Sequence, residues 1–229
     1  MVVYNMPIPK MIQRYKMLYS ALVYDVLEEM GYPDQTLSLS IRPLDRNMVL
    51  AGTAFTMVGT REAKKDNDEV RGIVFPMLER IYENSVIVIN AEGNTITGNW
   101  GELLSTAARA KGAVGAVIDG GTRDSRIILT LSDWAIFSRF TSPIESDGRW
   151  QLKECEIPII MSGTTKSMVT VRPGDWIFGD MDAVIVVPME VAEQVMIRAE
   201  EMRKTEDAVR EELKSGASFK DVWDKYERL

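Results

Sequence analysis

An acid and an Arg-Asp pair separated by twenty residues, Glu102 and then Arg123-Asp124, are the part of this chain best suited to chemistry. The residues between them read as one helix ended by Gly112, a short apolar strand over residues 113–118 and a glycine turn at Gly120-Gly121. Folded in that order, they bring a carboxylate, a guanidinium and a second carboxylate into one pocket. Its place is a strand end beside a helix start, where the side chains of α/β folds converge. Glycines in the preceding Gly98-Asn99-Trp100-Gly101 let the chain turn tightly and leave the first N–H groups of the helix open, a natural seat for a small carboxylate.

What is missing narrows the chemistry further. The chain has no histidine and a single cysteine, Cys155. Imidazole bases, histidine-dependent triads and zinc sites with histidine ligands are excluded. One thiol makes no internal disulfide and no thiolate metal cluster, which fits a reducing cytoplasm. Catalysis must run on carboxylates, Arg, Lys, Tyr and backbone amides, and an all-carboxylate site favours a hard cation such as Mg²⁺ or Mn²⁺. With 229 residues, 45% of them hydrophobic and 27% charged, the chain can bury a full core as one domain with an appendage. A net charge of −7 and basic residues that form no run argue against a nucleic-acid face. No apolar stretch reaches the length of a membrane span, and charges throughout residues 1–31 leave no signal peptide, so a cytoplasmic protein is expected.

The elements that must position the site follow an α/β pattern. Residues 12–30 carry helical spacing up to Gly31-Tyr32-Pro33-Asp34 and predict one amphipathic helix. Residues 48–58 predict a strand. Asp66-Asn67-Asp68 caps a helix to about residue 82, with Pro76 a kink or boundary, and residues 85–90 (SVIVIN) predict a buried strand. After Asp124 come a short helix to about residue 131, a strand over 134–140 and a polar loop over 141–149. Further short strands are expected at 157–161, 168–171, 176–178 and 184–187, with turns at Pro173-Gly174-Asp175 and Gly179-Asp180. A charged helix over 190–215 breaks at Gly216 and a last helix runs to Leu229. Residues 1–188 thus read as an α/β domain, and 189–229 as a helical tail too polar to stand alone, packed on the domain or on a neighbouring subunit.

Each candidate also has an ordinary structural reading. Asp124 suits a helix N-cap and Glu102 suits the dipole of a first turn. Their combination with the open backbone around Gly101 and Gly120-Gly121 is what points to a site. Asp180 and Asp182 are explained by a turn between strands, and nothing local suits Lys111 or Lys166 to Schiff-base chemistry. The 14 methionines read as core filler, and Asp25 is assigned no chemistry.

The run from Gly98 to Asp124, with the Pro173-Gly174-Asp175-Trp176 and Gly179-Asp180 turns ahead of the strand ending at Pro188, resembles the 4-hydroxy-4-methyl-2-oxoglutarate aldolase family. That superfamily also holds the regulator of ribonuclease activity A and proteins long labelled demethylmenaquinone methyltransferases. The similarity follows the order of elements over about residues 15–215, and Glu102 stands where the characterised aldolases have aspartate. The resemblance implies an α/β fold of the swivelling β/β/α type, assembled as a homotrimer or a dimer of trimers with active sites between subunits. It implies a divalent metal on Asp124, with Glu102 acting through bound water. Arg123 would grip the substrate carboxylate and the developing enolate oxygen, and the N–H groups of Leu103 and Leu104 would seat the carboxylate. An acid from the neighbouring subunit's C-terminal region would complete the site, and Glu206, by its spacing ahead of Arg210 and Leu213-Lys214-Ser215-Gly216, is the match. The implied activity is retro-aldol cleavage of a small 4-hydroxy-2-oxo acid to pyruvate, with oxaloacetate decarboxylation through the same enolate. The alternative is a non-catalytic protein-binding regulator, which does not keep the aspartate of the Arg-Asp pair that this chain has. The methyltransferase label finds no glycine-rich cofactor loop here.

Overall fold

The computed structural model describes residues 3–62 and 67–226, and within them the apolar runs form the centre of one mixed sheet. In chain order the elements are α1 (Ile8–Tyr15), α2 (Ser20–Glu29), β1 (Arg42–Pro43), β2 (Leu50–Thr60), α3 (Asn67–Glu79), β3 (Ser85–Asn90), β4 (Gly98–Trp100), α4 (Glu102–Ala110) and β5 (Gly115–Thr122). There follow α5 (Ser125–Ile128), β6 (Ala135–Thr141), β7 (Gln151–Cys155), β8 (Ile159–Ser162), β9 (Met168–Val171), β10 (Trp176–Gly179), β11 (Val184–Val187), α6 (Ala192–Lys214) and α7 (Phe219–Tyr226). The nine-stranded sheet runs β1-β6-β5-β3-β2-β10-β11, with β4 on β5 and β7 on β2. Its centre, β2, β3, β5 and β6, is parallel. Such strands are covered on both faces, which is why their sequences are continuously apolar. The outer pairings of β1, β7, β10 and β11 are antiparallel, and β8 and β9 form a separate hairpin.

The two-residue period of the strands sorts the apolar side chains among three cores. Ile87 and Ile89 of β3 and Ala116 and Ile118 of β5 face the core beneath α3, α4 and α5. Val86, Val88 and Val117, one residue out of step, face the core under the β8–β9 hairpin. Trp176 and Phe178 of β10 join α1, α2 and the first half of α6 in the third. The first turns of α6 therefore pack on the chain's own domain, burying Ala192, Val195, Met196 and Ala199. The α/β class and the helical tail match the expectation.

Several local expectations change. The single helix over 12–30 is two helices, because Tyr19 is extended at φ −130° and ψ 157°. The carboxylate that accepts the first N–H and the hydroxyl of Ser20 is Asp180, 160 residues away in sequence. Asp180 also accepts the Asp182 N–H, so this acid pair is a turn and a helix cap. Gly120-Gly121 lies inside β5 and makes no turn. A Cβ at Gly120 would stand 2.5 Å from Asn99 Oδ1 and one at Gly121 2.5 Å from a Phe140 ring carbon, so these glycines serve close approach. Gly98-Asn99-Trp100 is likewise a strand, parallel to the end of β5. α3 continues through Pro76, and part of the stretch after the polar loop is β7. The expected cap at Asp66 and the last residue of the final helix, Leu229, lie outside the described residues.

Candidate active site

β4 and β5 meet at a corner that fixes the Arg-Asp pair. The Arg123 N–H and the Thr122 hydroxyl both donate to the Trp100 carbonyl, at 3.0 and 2.8 Å, and the Gly121 N–H donates to Asn99 Oδ1 at 3.0 Å. Asp124 then takes a left-handed conformation, φ 61° and ψ 28°, which aspartate tolerates better than most residues. Its carbonyl accepts the N–H groups of Ile127 and Ile128, so the strand passes directly into α5. The Arg123 and Asp124 side chains lie over two glycines of the facing segment. A Cβ at Gly98 would stand 2.6 Å from Arg123 Cβ, and one at Gly101 would stand 2.6 Å from Asp124 Oδ2 and 2.9 Å from Arg123 Cγ.

α4 begins at that same corner. Its N-cap, Gly101, has no side chain to cap with, and Asp124 Oδ2 instead accepts the Glu102 N–H at 3.2 Å. The buried Trp100 indole donates to Ser105 Oγ, which donates to the Gly101 carbonyl, and this fixes the first turn. The N–H groups of Leu103 and Leu104 belong to that turn and have no acceptor within the helix. Leu103 is exposed. Glu102 accepts the Thr106 hydroxyl at 2.8 Å, which holds its carboxylate along the outside of α4. The Arg123 guanidinium approaches Asp124 Oδ1 through Nε at 3.4 Å and Glu145 Oε1 through Nη1 at 3.8 Å. Beside it opens a cleft of about 210 Å³ whose walls include Asn99, Leu104, Glu145, Trp150 and Gln151.

The structure thus brings Arg123 and Asp124 against the backbone of Gly101 and Glu102 at the start of α4, the turn that also carries Leu103 and Leu104, while the Glu102 carboxylate turns to Thr106 and does not join the pair. Glu206 is not part of this cluster within its own chain. It sits on α6, the helix whose first turns pack with α1 and α2, whereas α4 and α5 pack on the core across the sheet. There Glu206 accepts the Tyr19 hydroxyl and faces Arg210 at 3.9 Å. Burial first, and then the Glu206 carboxylate, push the Tyr19 phenol up to about 12, so it remains a donor to Glu206. Asn99, Thr122 and Glu145 are site residues that the sequence did not single out; Glu145 lies in a polar loop with no periodicity to mark it.

Among the described residues no three acids or cysteines are grouped as a ready-made metal cage. The donor set still fits one class of ion. Mg²⁺ keeps several waters and needs only one or two carboxylates. Asp124 supplies hard oxygen beside Arg123, and Glu102 at the adjoining helix start would add its carboxylate on turning away from Thr106.

The RraA-like family model, Aldolase/RraA, matches residues 20–186, a span that contains the whole corner and ends before α6. A relative from Halalkalibacterium halodurans, named as a candidate 4-hydroxy-4-methyl-2-oxoglutarate aldolase, is 32% identical over 175 residues, 75% of each chain. Protein DlpA of Legionella pneumophila is 26% identical over 218 residues, which cover 95% of this chain and 34% of DlpA, so the chain spans about a third of that relative. An uncharacterized protein from Pseudomonas syringae pv. tomato has a solved structure that matches with a TM-score of 0.81 at 26% identity, over 99% of both chains. Among the described residues no helix is long and apolar enough to cross a membrane.

Proposed function

Since the chain belongs to the RraA-like family, Aldolase/RraA, we propose that it is a divalent-metal-dependent lyase that cleaves 4-hydroxy-2-oxo acids, such as 4-hydroxy-4-methyl-2-oxoglutarate, to pyruvate. Oxaloacetate decarboxylation would follow from the same site, because both reactions pass through the pyruvate enolate. The observation that carries this reading is the placement of Arg123 and Asp124 against the open first turn of α4, with Leu104 of that turn and Glu145, the ion-pair partner of Arg123, lining a neighbouring cleft.

Asp124, with Glu102 beside it, would hold Mg²⁺ or Mn²⁺, which supplies Lewis-acid polarisation of the keto group. Arg123 offers a planar fork of N–H donors to the substrate carboxylate and to the oxygen on which negative charge develops. The Leu103 and Leu104 N–H groups seat the same carboxylate at the positive end of the helix. In the aldol cleavage Glu102 takes up the 4-hydroxyl proton, directly or through a water. The C3–C4 bond breaks, and its electron pair becomes the enolate of pyruvate, which is then protonated at C3. Decarboxylation needs no such base. Glu206 from a neighbouring copy would complete the site in a homotrimer or a dimer of trimers, once it leaves Tyr19. In a purely protein-binding regulator Asp124 would serve only as the cap of α4, and its loss would leave metal binding and turnover unaffected.

A screen of 2-oxo acids for pyruvate release, with Mg²⁺, with Mn²⁺ and with excess chelator, tests the reading. Turnover of at least one 4-hydroxy-2-oxo acid, abolished by chelation and restored by metal, is the expected result; full turnover in chelator sinks the metal mechanism.

A further inference from the structure

Glu145 has no part in the reaction just described, yet it faces the guanidinium on which that reaction depends. Its Oε1 lies 3.8 Å from Arg123 Nη1, an ion-pair distance beyond hydrogen-bond reach. The position is built. The Gly98 N–H donates to the carbonyl of the preceding residue, Ile144, at 3.0 Å. Ser142 Oγ accepts the Ile144 N–H and donates to the Ile96 carbonyl. Gly98 is also the residue against which Arg123 Cβ packs. One stretch of backbone therefore sets both members of the pair. The Glu145 side chain is 68% exposed and lines the cleft with Asn99 and Leu104, so it can swing into solvent at little cost.

We propose that Glu145 is a counter-ligand built into the site: it occupies Arg123 until an incoming carboxylate displaces it, and so sets the affinity for anionic ligands. This rests on the reading of Arg123 as the carboxylate receptor of the proposed lyase. A guanidinium flanked by two carboxylates, Asp124 and Glu145, retains little net charge toward solvent. A stray monoanion gains little there. A ligand that presents two oxygens to the fork at once, and also reaches the helix start, gains enough to expel Glu145.

The test is calorimetric titration of oxalate into the full-length protein in Mg²⁺ buffer. Glu145→Gln keeps size and removes charge, and should tighten oxalate binding by about two- to fivefold, the range expected of a partly exposed ion pair. Glu145→Asp, which keeps the charge, should stay close to wild type. The gap between wild type and Glu145→Gln should close near 1 M salt, where the screening length falls to about 3 Å. The KM for a cleaved 2-oxo acid should fall with Kd, without a rise in kcat. Unchanged or weaker oxalate binding by a folded Glu145→Gln protein overturns the proposal, as does the absence of binding by every form. Tight, Glu145-sensitive oxalate binding by a protein that releases no pyruvate would remove the lyase reading and leave this one standing.

Discussion

Gly101→Ala asks whether activity depends on the close approach between the start of α4 and the Arg-Asp pair. Gly101 sits at φ −130° and ψ −170°, which alanine adopts freely, so backbone strain contributes nothing. The cost is contact. The new Cβ would stand 2.6 Å from Asp124 Oδ2 and 2.9 Å from Arg123 Cγ, whereas comfortable heavy-atom separations begin near 3.5 Å. Relief requires both side chains to retreat by roughly 0.5–1 Å. The carboxylate then leaves the Glu102 N–H that it meets at 3.2 Å.

The two consequences differ in size. Loss of one exposed capping bond, with alanine in place of glycine at the N-cap, costs about 1 kcal/mol, a Tm decrease of about 2–4 °C in a protein of this length. A misplacement approaching 1 Å in a positioned site costs on the order of 100-fold in turnover, about 2.7 kcal/mol. The assay is pyruvate release coupled to NADH oxidation by lactate dehydrogenase, with a thermal melt and a metal titration on the same preparation. A small Tm change with a large loss of kcat/KM and of metal affinity is the expected pattern. Activity within about threefold of wild type, less than about 0.7 kcal/mol, would refute the reasoning, because the close approach would then have no functional content.

Arg123→Lys keeps the charge and loses the planar fork, so kcat should fall by about 3 kcal/mol of transition-state stabilisation; steady-state rates within twofold of wild type would place Arg123 outside the site. Asp124→Asn preserves a good helix-capping acceptor and a side chain at ease in the left-handed region, so the melting temperature should hold while Mg²⁺ binding and turnover are lost. Equal metal affinity in calorimetry would show that Asp124 is only a cap. Mixed oligomers of inactive Arg123→Ala and inactive Glu206→Ala chains should regain partial activity at hybrid interfaces; no recovery from verified mixtures means that each site is built within one chain, or that Glu206 stays with Tyr19.

The parts of this fold legible in sequence are those whose cause is local. The SVIVIN run of β3 and the apolar run that opens β5 declare buried parallel strands because both faces must be covered, and alternate residues do enter different cores. Where the cause is remote, the reading fails. The break between α1 and α2 is invisible because the residue that caps α2 is Asp180, contributed by a turn near the end of the sheet. Gly120-Gly121 resembles a turn locally, yet the glycines answer to Asn99 and Phe140. Glu102, Arg123 and Asp124 could be named because their spacing sets an acid and an Arg-Asp pair at the two ends of one helix-strand unit, beside the open backbone around Gly101. Glu145 could not, since an acid in a polar loop gains meaning only when Ile144 is seen bonded to Gly98.

The corner couples stability to chemistry through one carboxylate. Asp124 Oδ2 caps α4 while Oδ1 faces Arg123, and each oxygen has a lone pair to spare. A bound cation would therefore add to the cap without displacing it. Because the cation would favour the folded corner over the unfolded chain, binding would also stabilise the fold by mass action. Glycine at position 101 is what permits this double use. A side-chain cap there would satisfy the helix from within α4 and leave the Arg-Asp pair no room to reach its first turn.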